Sequence, residues 1–99
     1  MWVSIGKGKV PRPEFELEEK ILEVFIANNC VFSSAAHIKL AYDVKRLGWE
    51  QVKYLASNFS PSQLGQMGYL GVRRLAQLRR DNEQKFQKVM KELEEVVTR

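Results

Sequence analysis

The fold is decided by residues 60–99, which read SPSQLGQMGYLGVRRLAQLRRDNEQKFQKVMKELEEVVTR. The segment opens with the spacing of a capping box. The Ser60 hydroxyl can accept a hydrogen bond from a free backbone N–H, Pro61 suits the first helical position, and Gln63 can reach back to the cap. No proline follows Pro61. The pattern therefore predicts helical structure from Ser60 to the last residues.

Three glycines near the start of this segment bear on whether the helix is continuous. Gly65, Gly68 and Gly71 lie three residues apart, and each costs about 1 kcal/mol relative to alanine inside a helix. Either they permit the close approach of another helix, or the chain breaks near Gly68. We favour the break, which predicts a short helix followed by a long C-terminal helix over residues 69–98.

An apolar stripe runs along the predicted long helix, with spacings of 3, 4, 4, 3, 4 and 3 residues and one polar member, Asn82. This is close to heptad spacing, and a polar residue in such a stripe can fix the register of a coiled coil. A helix of some 30 residues is about 45 Å long, which is long for a small bundle to cover. We therefore predict that the stripe is a dimer interface, although it could instead pack on the other helices as core. This C-terminal seam consists of Leu75, Leu78, Asn82, Phe86, Val89, Leu93 and Val96.

The first twelve residues differ from the rest of the chain. They carry Lys7, Lys9 and Arg12 without an acidic residue, and their glycines and prolines disfavour a helix. Residues 1–12 are predicted to be a flexible basic N-terminal arm, with a short strand near Val3 as the less favoured alternative.

Residues 13–59 predict three shorter helices. The first begins near Pro13 and ends at the Asn28-Asn29 pair, the second follows a serine cap and ends before Gly48, and the third begins at Trp49. Connections of a few residues make such helices pack against one another. The predicted fold is therefore all-α, a small bundle of about four helices with a long C-terminal amphipathic helix, in which residues 13–99 form a single helical domain.

The net charge of +4 is unevenly distributed. Residues 13–29 hold five glutamates against one lysine, whereas residues 30–80 hold eight basic residues against two acidic ones. Guanidinium groups bind phosphate oxygens through a planar fork of donors. Two interpretations stay open, a phosphate-binding surface or an ordinary solvated helix face. The predicted nucleic-acid-binding residues are Arg73, Arg74, Arg79 and Arg80, assisted by Lys45, Arg46 and Lys53.

Known DNA-binding motifs fit the sequence poorly. A helix-turn-helix usually has a small residue four before its turn glycine and an aliphatic residue six after it, and the best register, on Gly48, places Val44 and Tyr54 there. A ribbon-helix-helix would use residues 3–9 as a strand that reads the major groove, but the neighbouring glycines and prolines disfavour it. Neither motif is specific enough to indicate a family.

Enzyme chemistry has little support. His37 and Cys30 are the only histidine and the only cysteine, so a Cys/His zinc site and a Ser-His-acid triad are not indicated. We expect no catalytic residues, no metal and no cofactor. No apolar run approaches the roughly 20 residues of a membrane span, and an unpaired cysteine fits a reducing compartment. A cytoplasmic or other intracellular location, away from membranes, is expected.

The composition and the two patterns lead to one functional prediction with an alternative. The chain is predicted to be a small helical nucleic-acid-binding protein, for DNA before RNA, that forms a homodimer and contacts phosphates through its arginine-rich helix. The alternative is a helical protein–protein interaction or adaptor module without nucleic-acid binding.

Overall fold

The computed structural model describes residues 15–30 and 35–98 of the chain. These residues form six helices and no strand. The all-α prediction is confirmed, with six helices in place of about four. The helices are α1 (Glu16–Ala27), α2 (Ala36–Leu47), α3 (Trp49–Asn58), α4 (Pro61–Gln66), α5 (Leu70–Asp81) and α6 (Glu83–Val97). The predicted N-terminal arm and the serine cap before α2 lie outside the described residues.

The predicted helix ends are found where they were expected. α1 ends at Ala27 with Asn28 as its C-cap, and Asn29 has a positive φ of 54°. α2 ends at Leu47, and its C-cap Gly48 has φ 88° and ψ 152°, a backbone conformation that favours glycine. α3 begins at the next residue, so a single residue turns the chain between α2 and α3.

The capping box at the start of α4 is also confirmed. The Gln63 N–H donates to Ser60 Oγ at 3.2 Å, and the Ser60 N–H donates to Gln63 Oε1 at 2.9 Å. The chain breaks near Gly68, as predicted, because α4 ends at Gln66 and Gly68 has a φ of 87°. α4 and α5 are therefore separate helices joined by a tight turn.

The prediction of one continuous helix over residues 69–98 is wrong. The helix breaks at Asn82, which has φ −155° and ψ 93° and ends α5. The Asn82 side chain accepts a hydrogen bond from the Lys85 N–H at 3.0 Å and thus caps α6. Asparagine is a preferred N-cap because its side-chain oxygen satisfies a free N–H of the first turn. The polar residue that was predicted to fix a dimer register is instead a helix boundary.

The break places the C-terminal seam inside the chain's own core. α6 packs against α1, α3 and α5, and five of the seven seam residues are at most 7% exposed: Leu75, Leu78, Phe86, Val89 and Leu93. Val96 is partly buried against the same core, and Asn82 is exposed. The seam is therefore not an exposed face that a second copy could share, and its assignment as a dimer interface is corrected to core packing. The open alternative for this stripe was the right one.

α5 is the central helix of the bundle, in contact with α2, α3, α4 and α6. Its Val72, Leu75 and Ala76 are fully buried. One cluster of buried apolar side chains draws on all six helices, including Ile21 of α1 and Leu64 of α4. Within the described residues, no helix is both long and apolar enough to cross a bilayer.

α2 and α5 approach each other closely at Gly71. Gly71 lies directly against the backbone of Lys39 and Leu40, where no Cβ could fit. At the same place the buried Asp43 carboxylate of α2 accepts hydrogen bonds from the N–H groups of Gly71, at 2.8 Å, and Val72, at 3.1 Å. A carboxylate at a helix N-terminus is favoured by the free N–H groups and by the helix dipole. Asp43 therefore caps α5 from a neighbouring helix.

Candidate interaction site

The seven predicted phosphate-binding residues lie on three helices and have different surroundings. Arg79 has the most restricted position. Its guanidinium donates to the carbonyl oxygens of Ala56, at 2.6 Å, and Phe59, at 3.1 Å. These carbonyls belong to the C-terminal end of α3, where backbone acceptors have no partner inside the helix. Arg79 thus ties α5 to the end of α3, and the geometry gives it a structural role in place of phosphate contact.

Two lysines of the predicted set are held by carboxylates of the same chain. Lys53 of α3 lies 3.4 Å from Glu50 and 3.4 Å from Glu94 of α6. Desolvation lowers the pKa of the Lys53 ammonium, but hydrogen bonds to both glutamates and their negative charges outweigh it, so that the pKa lies above its ordinary value. Lys45 of α2 pairs with Glu18 of α1 at 3.3 Å. Each lysine joins two helices across the surface.

Arg46 contacts three side chains of the same chain. Its guanidinium carbon lies 5.6 Å from the centre of the Tyr42 ring and 5.2 Å from that of the Tyr69 ring. Its Nη2 lies 3.7 Å from Asp43 Oδ1. Arginine stacks well on aromatic faces because its charge is delocalised over a plane. The side chain is still 45% exposed, so Arg46 is both positioned by its neighbours and open to solvent.

The remaining three arginines lie on the central helix. Arg73 and Arg80 are exposed, and within residues 15–30 and 35–98 neither guanidinium has a hydrogen bond or ion pair. The Arg73 side chain passes over Gly65 of α4. Arg74 is half-buried and engaged in an interaction of its own. Two guanidinium groups on one side of α5 therefore have no partner among the residues that the structure describes.

An exposed apolar groove lies on the outer face of α2, and sequence reasoning missed it. Its walls are Ile38 and Tyr42 of α2 and Leu70 at the start of α5, which are 51%, 62% and 41% exposed. The groove has a volume of about 340 Å³. Ile38 and Tyr42 are four residues apart and project from the face of α2 opposite its buried side. Their spacing was the available signal, but the helix was interpreted only through its buried residues.

The rim of this α2 groove carries charge. Lys39 and Lys45 lie along it, together with Glu18, which is paired with Lys45. Arg46 stacks on the Tyr42 wall. An apolar floor with cationic edges is typical of surfaces that receive an amphipathic segment of a protein partner.

A second depression, of about 250 Å³, lies between α3 and α6 over Phe86 and Met90. Both side chains are at most 7% exposed. Lys53 and Glu94, which line the depression, pair with one another across it at 3.4 Å. This ion pair spans the depression, and its apolar residues are buried, so the α2 groove is the stronger candidate.

The described residues do not bring metal-binding or nucleophilic side chains together. Within the described part of the chain, no three His, Cys, Asp or Glu side chains lie close enough to hold a metal ion. Cys30 is partly buried against the core, and its thiol donates to the Asn28 carbonyl oxygen. Burial raises the pKa of this thiol, and the positive charge of Lys85 offsets part of the effect. A thiol with a raised pKa is a poor nucleophile.

Comparison of the chain with protein-family models, curated proteins and solved structures found no match.

Proposed function

We propose that this chain is a protein-interaction module that docks a segment of a partner protein in the α2 groove. The observation that supports it most is the exposure of Ile38, Tyr42 and Leu70 around one groove. Single exposed apolar residues are ordinary, but a contiguous set with a concave shape and a polar rim marks an interaction site.

The groove is presented by rigid elements. α2 is fixed to α5 by the Gly71 crossing and by the two hydrogen bonds of Asp43. Leu70 directly precedes that crossing. The walls are therefore held in place before a partner arrives, which reduces the entropy cost of binding.

A photocrosslinking experiment tests this function. A photoreactive phenylalanine analogue replaces Tyr42 in the full chain, and the matched control places the same analogue at Tyr54, which is similarly exposed, at 55%, but does not line the groove. In extracts of the source cells we expect a discrete adduct from position 42 alone, which disappears when Ile38→Asp is added. Equal adducts from both positions, or none from position 42, would reject the proposal.

Nucleic-acid binding remains a second candidate because of Arg73 and Arg80. They are seven residues apart on α5, which is about two helical turns or 10 Å, and both are exposed. Two such groups can contact phosphates, with binding that weakens as salt rises. The other five predicted cations are engaged within the chain, which is why this function now ranks second.

A salt titration separates the two candidates. Duplex and single-stranded DNA and RNA are titrated at 50 and 200 mM salt against the wild type and Arg73→Gln/Arg80→Gln. If both arginines contact phosphates of a duplex, the slope of log K against log salt decreases in magnitude by up to about 1.8. The control removes the same charge from two exposed lysines of α6, Lys88→Gln/Lys91→Gln. Absence of binding at the lower salt concentration rejects this candidate.

A further inference from the structure

We infer that the partner segment carries a carboxylate beside its apolar anchor, and that Arg46 is the residue that recognises this carboxylate. The inference rests on the proposed docking function of the α2 groove and specifies the chemistry of the partner. It follows from the way in which Arg46 is held, from the charge at the rim, and from the shape of the walls.

The neighbours of Arg46 position its guanidinium without occupying all of its N–H donors. The guanidinium lies near both the Tyr42 ring, at 5.6 Å, and the Tyr69 ring, at 5.2 Å. These contacts restrict the side chain, so that fewer rotamers remain to be lost when a ligand binds. Among the described residues, its one charged contact, at 3.7 Å from Asp43 Oδ1, is longer than a hydrogen bond. An arginine has five N–H donors in a planar fork. At 45% exposure, this side chain keeps donors available for an incoming carboxylate.

The Asp43 carboxylate competes only weakly with a partner's carboxylate for the N–H donors of Arg46. Its Oδ2 accepts the two hydrogen bonds from the start of α5, and the carboxylate is buried. Asp43 thus contacts Arg46 only through Oδ1, at 3.7 Å, and the Arg46 side chain stays 45% exposed. Arg46 is in this sense a preorganised carboxylate receptor, of the bidentate kind that arginine forms with aspartate and glutamate.

The charges around the groove favour an acidic segment over a nucleic acid. The groove is lined by two cations, Lys39 and Lys45, and Arg46 lies beside its Tyr42 wall. Its two acids are already engaged, Glu18 with Lys45 and Asp43 with the first N–H groups of α5. A phosphate backbone in the groove would lie near Glu18 and over aliphatic walls formed by Ile38 and Leu70. A leucine or phenylalanine side chain fits such walls, and a carboxylate one helical turn away reaches Arg46.

A peptide selection tests the inference. A phage-displayed library of random 14-residue peptides is selected on the full-length chain, and the enriched peptide is then synthesised and titrated by fluorescence anisotropy. We expect an apolar residue with Asp or Glu within four positions of it. Arg46→Lys, which keeps the charge but loses the fork, should weaken binding about tenfold. Changing the peptide's acid to its amide should weaken binding to the wild type similarly and should have little further effect on binding to Arg46→Lys.

Two control variants separate the possible failures. Arg80→Lys changes an exposed arginine outside the groove and should leave the dissociation constant unchanged. Ile38→Asp should abolish peptide binding. If Ile38→Asp abolishes binding but Arg46→Lys and the amide peptide do not weaken it, the docking function stands and the inference about Arg46 is overturned. If Ile38→Asp has no effect, both are overturned. The far-ultraviolet circular dichroism of each variant shows that it is folded.

An occupant of the α2 groove other than an acidic peptide would be recognised by a different result. An oligonucleotide that displaces the peptide and loses affinity in Ile38→Asp would identify the groove as a nucleic-acid site and overturn the inference. Methyl resonances of Ile38 that shift with chain concentration, or in Trp2→Ala, would identify a second copy or the chain's own N-terminal residues as the occupant. Either result would also overturn it.

Discussion

Replacing Gly71 by alanine tests the tight crossing of α2 and α5. A Cβ added at Gly71 would lie 2.5 Å from the Lys39 carbonyl carbon and as close to backbone atoms of Leu40, whereas ordinary contacts begin at 3.4 Å. Backbone atoms cannot rotate away as a side chain can. The two helices must therefore separate by about 1 Å, which is the kind of overpacking that costs about 1–3 kcal/mol or more.

Two further effects set the net change in the free energy of unfolding. Alanine is favoured over glycine inside a helix by about 1 kcal/mol, which opposes the clash. Separation of the helices also stretches the hydrogen bonds from Gly71 and Val72 to Asp43, which are charge-assisted and worth more than neutral ones. We expect Gly71→Ala to be destabilised by about 2–3 kcal/mol, a large part of the 5–15 kcal/mol that holds a domain together.

Urea unfolding followed by circular dichroism at 222 nm measures this change. The matched control is Gly65→Ala, because a Cβ at Gly65 would meet only the Arg73 side chain at 3.6–3.8 Å, an ordinary contact. Gly65→Ala should be neutral or stabilised by up to about 1 kcal/mol. The reasoning is refuted if Gly71→Ala is as stable as the wild type, or if both substitutions destabilise the protein equally.

Three further predictions concern residues that the structure assigns to stability. Asp43→Ala should lower the free energy of unfolding by about 3 kcal/mol, because it removes the cap of α5 and leaves buried N–H groups without a partner. Asp43→Asn should lower it less. Equal effects of the two substitutions in urea unfolding would argue against a charge-dependent cap. Arg79→Met should destabilise the folded protein by about 1–3 kcal/mol through the loss of its hydrogen bonds to Ala56 and Phe59. The control Arg80→Met should change the stability by less than about 0.5 kcal/mol. A larger loss of stability in Arg80→Met than in Arg79→Met would contradict the assigned contacts. Leu93→Ala removes a core side chain and should lower the free energy of unfolding by about 2–5 kcal/mol. It should not alter the molar mass measured by light scattering. If the substitution converted a dimer into a monomer, the C-terminal seam would be restored as an interface.

The elements that could be predicted from the sequence were those specified by local chemistry. The capping box at Ser60 depends on residues three apart, the end of α2 depends on a glycine with positive φ, and the break near Gly68 depends on the cost of glycine in a helix. The break at Asn82 was equally local, since Asn82 precedes Glu83 at the start of an amphipathic pattern, as an N-cap does. It was missed because the apolar spacing on both sides of Asn82 stays compatible with one continuous helix.

The tertiary role of a residue could not be predicted in the same way. Gly71 was assigned two possible explanations, and its closeness to the α2 backbone depends on a helix thirty residues away in sequence. Asp43 was counted only as one of two acids in a basic segment, because nothing near it in sequence indicates that it caps α5. The α2 groove likewise needs Leu70 to be brought beside Ile38 and Tyr42. Such pairings follow from the packing of the whole chain.

The arginines of α5 show why a charge cluster in sequence does not become a charged surface in space. Arg73 and Arg80 are seven residues apart and project within about 20° of each other, whereas Arg79 is turned by about 100° from Arg80. Because α5 is the central helix, that rotation carries Arg79 from solvent to the end of α3, where its donors satisfy backbone carbonyls. The position of α5 in the bundle, more than the number of its arginines, therefore decides which of them can meet a ligand.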